Sequence, residues 1–241
     1  MTAFWEDMVS QFTRAFIVDE RWRFIVEGLG LTLLITFFAL IMGTILGIII
    51  AITRTSWDRT SGAMKKGPVK LIFRFFNGFC KVYLTVIRGT PIMIQLMIIF
   101  FIILTSTDKV LVAIIAFGIN SGAYVAEIMR SGIQAVDPGQ FEAGRSLGFN
   151  YIKTMWFIVL PQAFKNILPA LCNEYIVLFK ETAIAGVVGV SDLTRAANII
   201  RGVTFQSLFP LLAVALIYLV FVMFFTMLVG KLERRLRSSE R

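Results

Sequence analysis

A chain of 241 residues that is 57% hydrophobic, with a mean hydropathy of +0.80, is too apolar to be a soluble domain. Most of that surface has to face lipid or other membrane helices, and the length leaves room for about five spans and no further soluble module. The formal net charge of +9 sits in short runs beside apolar segments, where basic residues set membrane orientation; this excludes nucleic acid as the expected partner. With no histidine, and with Cys80 and Cys172 lacking any motif spacing, neither a metal site nor a disulfide is expected.

Residues 1–26 are mixed and charged, with Trp5, Phe12 and Phe16 spaced along one helical face, as in a helix lying at a membrane interface. They are acidic rather than basic at the start and so do not read as a cleaved signal peptide. The first span is expected at about 27–53, and its Gly43-x-x-x-Gly47 spacing either permits close helix contact or reflects the general frequency of glycine in membrane helices. A connector with Arg54, Arg59, Lys65, Lys66, Lys70 and Arg74 follows. As the most basic loop it is placed in the cytoplasm, with the N-terminus outside. Further spans are expected at about 82–105, 110–129, 166–190 (broken by polar residues, Gly186 and Gly189) and 207–230. An outer turn at 106–109 and an outer helix capped by Ser191 or Asp192 link them. The tail, 231–241, is basic and reads as cytoplasmic, in agreement with the connector.

The polar stretch 137–161 interrupts this apolar pattern. Asp137 can cap a helix that begins at Pro138, with Gln140 where a capping-box partner belongs. Gly148 suits the left-handed residue that ends helices, and Asn150 can cap a second helix running to Leu160-Pro161. Ala143 and Gly144 leave a bare patch on the first helix. The run Glu142-Ala143-Gly144, then Gly148, then Ile158-Val159-Leu160-Pro161 resembles the EAA loop of the membrane subunits of ATP-binding-cassette importers. The resemblance implies that helices at about 138–160 are cytoplasmic coupling helices seated in a groove of an ATPase subunit. It assigns ATPase coupling to Glu142, Ala143, Gly144, Gly148, Leu160 and Pro161. The family's second alanine is Gly144 here, which keeps the side chain small at about 1 kcal/mol of helix propensity.

Arg88-Gly89-Thr90-Pro91 with Ile94-Gln95-Leu96, Ala123-Tyr124 with Ala126-Glu127-Ile128 and Arg130, and Asn173-Glu174-Tyr175-Ile176 with Lys180 look like the polar amino-acid subfamily of these permeases. Thr182-Ala183 departs from the subfamily's usual paired hydroxyls. The resemblance covers most of residues 27–230 and implies an all-α integral membrane protein with the type I importer fold. It further implies a second permease subunit (homo- or heterodimer), a cytoplasmic ABC ATPase dimer that binds ATP-Mg, an extracytoplasmic amino-acid-binding protein, and a polar amino-acid substrate. No cofactor is expected in this chain.

Depth along the expected spans, at 1.5 Å per residue, puts Arg88 about 9 Å and Glu127 about 3–5 Å in from the cytoplasmic boundary. An Arg88–Glu127 ion pair near an inner gate is therefore expected, with a substrate contact as the other reading. Gln95, Asn120, Tyr124, Asn173 and Glu174 fall nearer the middle. There they either meet the substrate's ammonium and carboxylate or tie helices together. Pro91 is placed to kink its helix. No phosphate-binding loop occurs, since Gly62 to Gly67 has the wrong spacing and Pro68 follows it, and no nucleophile–base constellation is present. The expected function is thus an importer permease in the bacterial inner membrane, working by alternating access, and not an enzyme. The alternative is an ATP-independent carrier or channel for a small polar solute, which predicts inverted repeats and ion sites that the sequence does not display.

Overall fold

The computed structural model describes residues 2–62 and 64–238, and the side chains of 4–62 and 64–236. Ala63 of the basic connector and the last three residues of the basic tail lie outside the described residues. Every regular element among them is helical: α1 Thr2–Phe12, α2 Trp22–Thr60, α3 Pro68–Gly89, α4 Ile92–Ile98, α5 Lys109–Gln134, α6 Gly139–Ser146, α7 Tyr151–Thr154, α8 Leu160–Glu181, α9 Leu193–Thr204 and α10 Leu208–Ser238. Four stretches are each long and apolar enough to cross a membrane, and a bent pair, α3 with Ile92–Ile103, makes a fifth.

The helices start and stop where local chemistry requires. Asp108 accepts from the backbone N–H of Val110 (2.9 Å) and Leu111 (3.2 Å) to cap α5. Asp192, rather than Ser191, caps α9 through Thr194 (3.1 Å) and Arg195 (3.2 Å). Phe12 packs on Phe16 and on Phe209 of α10, so α1 is tied to the start of the last helix while Trp5 remains exposed.

At the centre, α2 packs along α5. Gly43 and Gly47 are both buried in that interface, and a Cβ on Gly47 would lie 2.5 Å from Val125 Cγ1. The small-residue spacing is therefore used for close approach. Ile35, Ala39, Val112, Ala116 and Phe117 form the middle of the core with Leu96 of α4. α10 closes one side through an aromatic run in which Phe179 touches Tyr218, Phe221 and Phe225.

Four expected segments are corrected. The basic connector is mostly helix: α2 runs on to Thr60 and α3 begins at Pro68, a residue pre-set for the first helical turn. The expected 82–105 span is not one rod, because the chain bends by 111° between α3 and α4. Pro91 supplies no donor and Thr90 is extended (φ −124°, ψ 147°), so helical hydrogen bonding stops there. Arg88 lies on α3, just before the bend. Finally, the helix capped by Asn150 does not end at Leu160-Pro161. It passes through a π-helical turn at Met155–Val159 directly into α8, and α10 likewise continues beyond Gly230. The wider π turn meets a proline that lacks the donor for a regular one.

Candidate functional site: the hairpin and the polar helix faces

The hairpin is closed by its own side chains. Asp137 Oδ1 accepts from Gly139 N–H (2.7 Å), so α6 begins one residue later than expected. Gln140 does not reach back to complete a capping box; its Oε1 accepts from Gln162 Nε2 (3.1 Å), joining α6 to α8. Gly148 turns the chain at φ 77°, and Asn150 Oδ1 accepts from Lys153 N–H (2.9 Å). Glu142, Ala143 and Gly148 are exposed, as are the apolar side chains of Leu147, Ile152 and Trp156 around them. Pro161 is exposed and Leu160 half-buried.

Gly144 differs from the expectation of a bare outer patch. It is buried, and a Cβ there would meet Thr154 Cγ2 at 2.5 Å and Oγ1 at 2.6 Å. Its lack of a side chain lets α6 close on α7. Arg59, on the extension of α2, stacks 4.5 Å from the centre of the Phe141 ring, which lies nearly parallel to Tyr151 at 6.3 Å. Val136, Val159, Ala163 and Ile167 bury the root of the hairpin between α5 and α8. The hairpin is therefore seated on those two helices.

Of the expected path residues, three are buried and engaged. Gln95, 7% exposed, donates from Nε2 to Ile87 O (2.8 Å), Thr90 O (3.0 Å) and Thr90 Oγ1 (2.8 Å), while its Oε1 accepts from Asn120 Nδ2 (3.0 Å). The amide thus occupies carbonyls that the bend at Pro91 frees. Asn120 is 3% exposed and serves that staple. Glu174, 8% exposed, accepts from Ser121 Oγ at 2.9 Å and ties α8 to α5. Helix tying, not an open binding position, describes these three in this conformation. Tyr124 and Asn173 are exposed. Asn173 lines a cleft of about 380 Å³ between α8 and α10, together with Lys165, Asn166 and Glu233.

Arg88 Nη1 lies 3.6 Å from Glu127 Oε2, with its guanidinium 5.7 Å from the centre of the Tyr124 ring. It is not the main partner. Arg130, one turn along α5, donates from Nε to Glu127 Oε2 (3.1 Å) and from Nη2 to Oε1, and its Nη1 reaches Gln134 (2.7 Å). The i,i+3 spacing of Glu127 and Arg130 was readable in the sequence and favours this pairing within one helix. Glu127→Gln removes the charge facing both arginines, so transport is expected to fall about fivefold or more, with the loss read against the amount of assembled complex. Wild-type transport in that variant would show the cluster to be dispensable.

Asn173 and Lys180 belong to a longer polar row on α8. Gln162, Asn166, Asn173 and Lys180 are all exposed and recur at helical spacing on α8. The i,i+4,i+11 spacing of the amides, with Lys180 seven residues further on, was the signal that could have found the row.

Residues 43–238 match the family described as the inner membrane component of binding-protein-dependent transport systems. The chain is 41% identical over 221 residues to the arginine transport system permease protein ArtQ of Bacillus subtilis (strain 168), covering 90% of this chain and 94% of that one. It is 39% identical over 217 residues to the putative glutamine transport system permease protein GlnP of Rickettsia conorii (strain ATCC VR-613 / Malish 7), covering 88% and 93%. Among solved structures, a crystal structure of an amino acid ABC transporter with histidines superposes with a TM-score of 0.78 at 41% identity, over 90% of this chain and 96% of that one. The inward-facing MetNI methionine transporter (TM-score 0.72, 19% identity, 89% and 97% covered) shares the fold. The chain belongs to the family of inner membrane components of binding-protein-dependent transport systems, as a multi-pass permease subunit of an ATP-binding-cassette importer.

Proposed function

We propose that this permease carries polar amino acids inward by alternating access. The observation that supports this most is 41% identity across nine-tenths of the chain to a permease named for arginine transport. In this reading two permease subunits, identical or related, form the path. A cytoplasmic ATPase dimer binds ATP-Mg, and an extracytoplasmic binding protein delivers the amino acid. The basic connector and tail face the cytoplasm, the N-terminus lies outside with residues 1–26 at the membrane interface, and residues 27–230 form the transport domain.

The hairpin is the coupling element, with Glu142, Ala143 and Gly148 presented to the ATPase and Gly144 holding α6 against α7. Closure of the ATPase dimer draws the two hairpins together. Their seating on α5 and α8 then turns those helices to open the outer side, and hydrolysis reverses the motion. Arg88, Glu127 and Arg130 form a charged cluster where α3 meets the lower half of α5. Tyr124 beside Arg88 and Asn173 in its cleft lie along the path, and the Gln95–Asn120 and Ser121–Glu174 pairs hold its walls.

Proteoliposomes containing this chain, its genomically neighbouring ATPase and its binding protein test the proposal with radiolabelled amino acids and ATP on the ATPase side. Uptake that needs both ATP and the binding protein is expected. Uptake driven by an ion gradient without ATP would overturn the proposal in favour of a secondary carrier.

A further inference from the structure

The packing of this chain leaves most of α3 uncovered. Cys80 is the only one of its 22 residues that is buried, and Leu71, Ile72, Phe75, Phe76, Phe79 and Val82 all stand exposed. Along that side runs a groove of about 490 Å³, lined by Leu71, Arg74, Phe75, Gly78, Phe79 and Val82. These positions recur at i, i+3, i+4, i+7, i+8 and i+11, so the groove follows the helix for about 17 Å. Gly78 leaves a notch in the row, since a Cβ there would meet nothing within 4 Å.

One end of the groove carries charge. Arg74 lies about 9 Å along the helix from Pro68, beside exposed aromatic side chains, and makes no ion pair among the described residues. Lys70 is engaged otherwise: its ammonium donates to Ser61 O (2.7 Å) and Met64 O (3.2 Å), which holds the connector against the start of α3. That tether keeps the exposed Lys65 and Lys66 at the same end. An arginine set into an apolar face is costly unless its head meets an anion or reaches the headgroup layer.

Two kinds of surface suit such a face, protein or lipid, and the charge selects between them. α3 contains no acidic residue. A two-fold contact with a second copy, about an axis along the membrane normal, would set Lys70, Arg74 and Lys81 against their own kind at matching depths. A lipid supplies what is missing, an acyl chain for the groove and a phosphodiester for Arg74. Basic clusters beside a spanning helix favour lipids of net negative charge.

We propose that the Leu71–Val82 groove of α3 seats an acidic phospholipid, with its phosphate at Arg74, in the field of Lys65 and Lys66, and an acyl chain lying over Gly78. The lipid belongs to the leaflet on the hairpin side, because Arg59, just before the connector, reaches Phe141 of the hairpin. It covers the helix that leads into the bend at Pro91. The assignment is independent of which solute is carried.

The test has two arms, both on the complete transporter. In the first, the delipidated complex in detergent is titrated with phosphatidylglycerol or phosphatidylcholine, and bound lipid is counted by native mass spectrometry. Arg74→Gln is expected to weaken phosphatidylglycerol binding about fivefold and leave phosphatidylcholine unchanged, while Arg74→Lys stays near wild type. Gly78→Leu fills a notch that faces open space, so the fold is kept, and it should weaken phosphatidylglycerol binding as well. Unchanged binding in Arg74→Gln, or equal loss of both lipids, would overturn the headgroup contact. Loss in Arg74→Gln with none in Gly78→Leu would overturn the seat, leaving an anion contact without a chain groove.

In the second arm, p-benzoylphenylalanine replaces Phe79 and is irradiated in proteoliposomes of phosphatidylglycerol and phosphatidylcholine. Cross-linked lipid enriched in phosphatidylglycerol over the bulk mixture is expected, with the enrichment lost on Arg74→Gln. Enrichment that survives Arg74→Gln, or cross-linking to another chain of the transporter, would overturn the proposal.

Discussion

Gly144→Trp is expected to abolish ATP-driven uptake while the spans still insert and the chain still reaches the membrane. The reason lies inside the hairpin rather than on its outer side. With Thr154 only 2.5 Å from where a Cβ would sit, and Thr154 itself buried, no rotamer of a large side chain fits between α6 and α7. The first helix has to lift away, which moves Glu142 and Ala143 from their positions relative to α8.

A smaller change gives a sharper measurement. Gly144→Ala forces the same contact with a single methyl and should cost about 1–3 kcal/mol of local stability. Thr154→Ala removes the two offending atoms, leaving a Cβ at 3.1 Å. The double variant should therefore be less damaged than the sum of the single ones, a coupling of about 1 kcal/mol or more. Hydrogen exchange over residues 137–161 and transport rate together read this cycle. Wild-type transport by Gly144→Trp, or strictly additive single variants, would show that Gly144 does not close the hairpin.

Gln95→Leu is expected to destabilise the assembled protein by about 1–3 kcal/mol, because it leaves the buried Asn120 amide and the part-buried Ile87 carbonyl without partners at once. The side chain donates to Ile87 O, Thr90 O and Thr90 Oγ1 and accepts from Asn120, all within 3.0 Å. Leucine fills the space yet offers nothing to the carbonyls of a helix that ends against Pro91. Asn120→Leu removes only the outer bond of this set and should be milder. Gln95→Glu should be at least as harmful as Gln95→Leu, since it turns an oxygen toward two carbonyl oxygens. Thermal denaturation of the detergent-solubilised complex, followed by the loss of its elution peak, ranks the three. An effect of Asn120→Leu equal to or larger than that of Gln95→Leu would mean that the bend does not depend on the staple.

These two positions also show how far sequence reasoning reaches. The residue type at Gln95 marked it as important, and its midspan depth left both the solute and a neighbouring helix open as partners. Its actual partners are carbonyls exposed by a bend of 111°, a geometry that Pro91 hints at but whose size is set by the packing of α4 against α5. Gly144 was legible as a position needing a small residue, but not as one that faces Thr154.

What the sequence determined by itself was governed by composition or by chemistry spanning a few residues. Apolar run length set the number of spans, Gly148 and Asn150 set the turn of the hairpin, Asp108 and Asp192 set helix starts, and the 43–47 glycine spacing allowed close approach. Each works through the backbone of its own neighbourhood, so the residue type carries the outcome. Only the tertiary structure decided that Ser121 meets Glu174 across 53 positions and that Asn120 meets Gln95 across 25. It alone decided, too, that Glu127 belongs chiefly to Arg130 while Arg88 stands off at 3.6 Å, and that one face of α8 is left polar and uncovered. Partners distant in sequence are selected by how helices rotate and tilt against one another to bury their apolar faces, and that choice is made by the whole bundle at once.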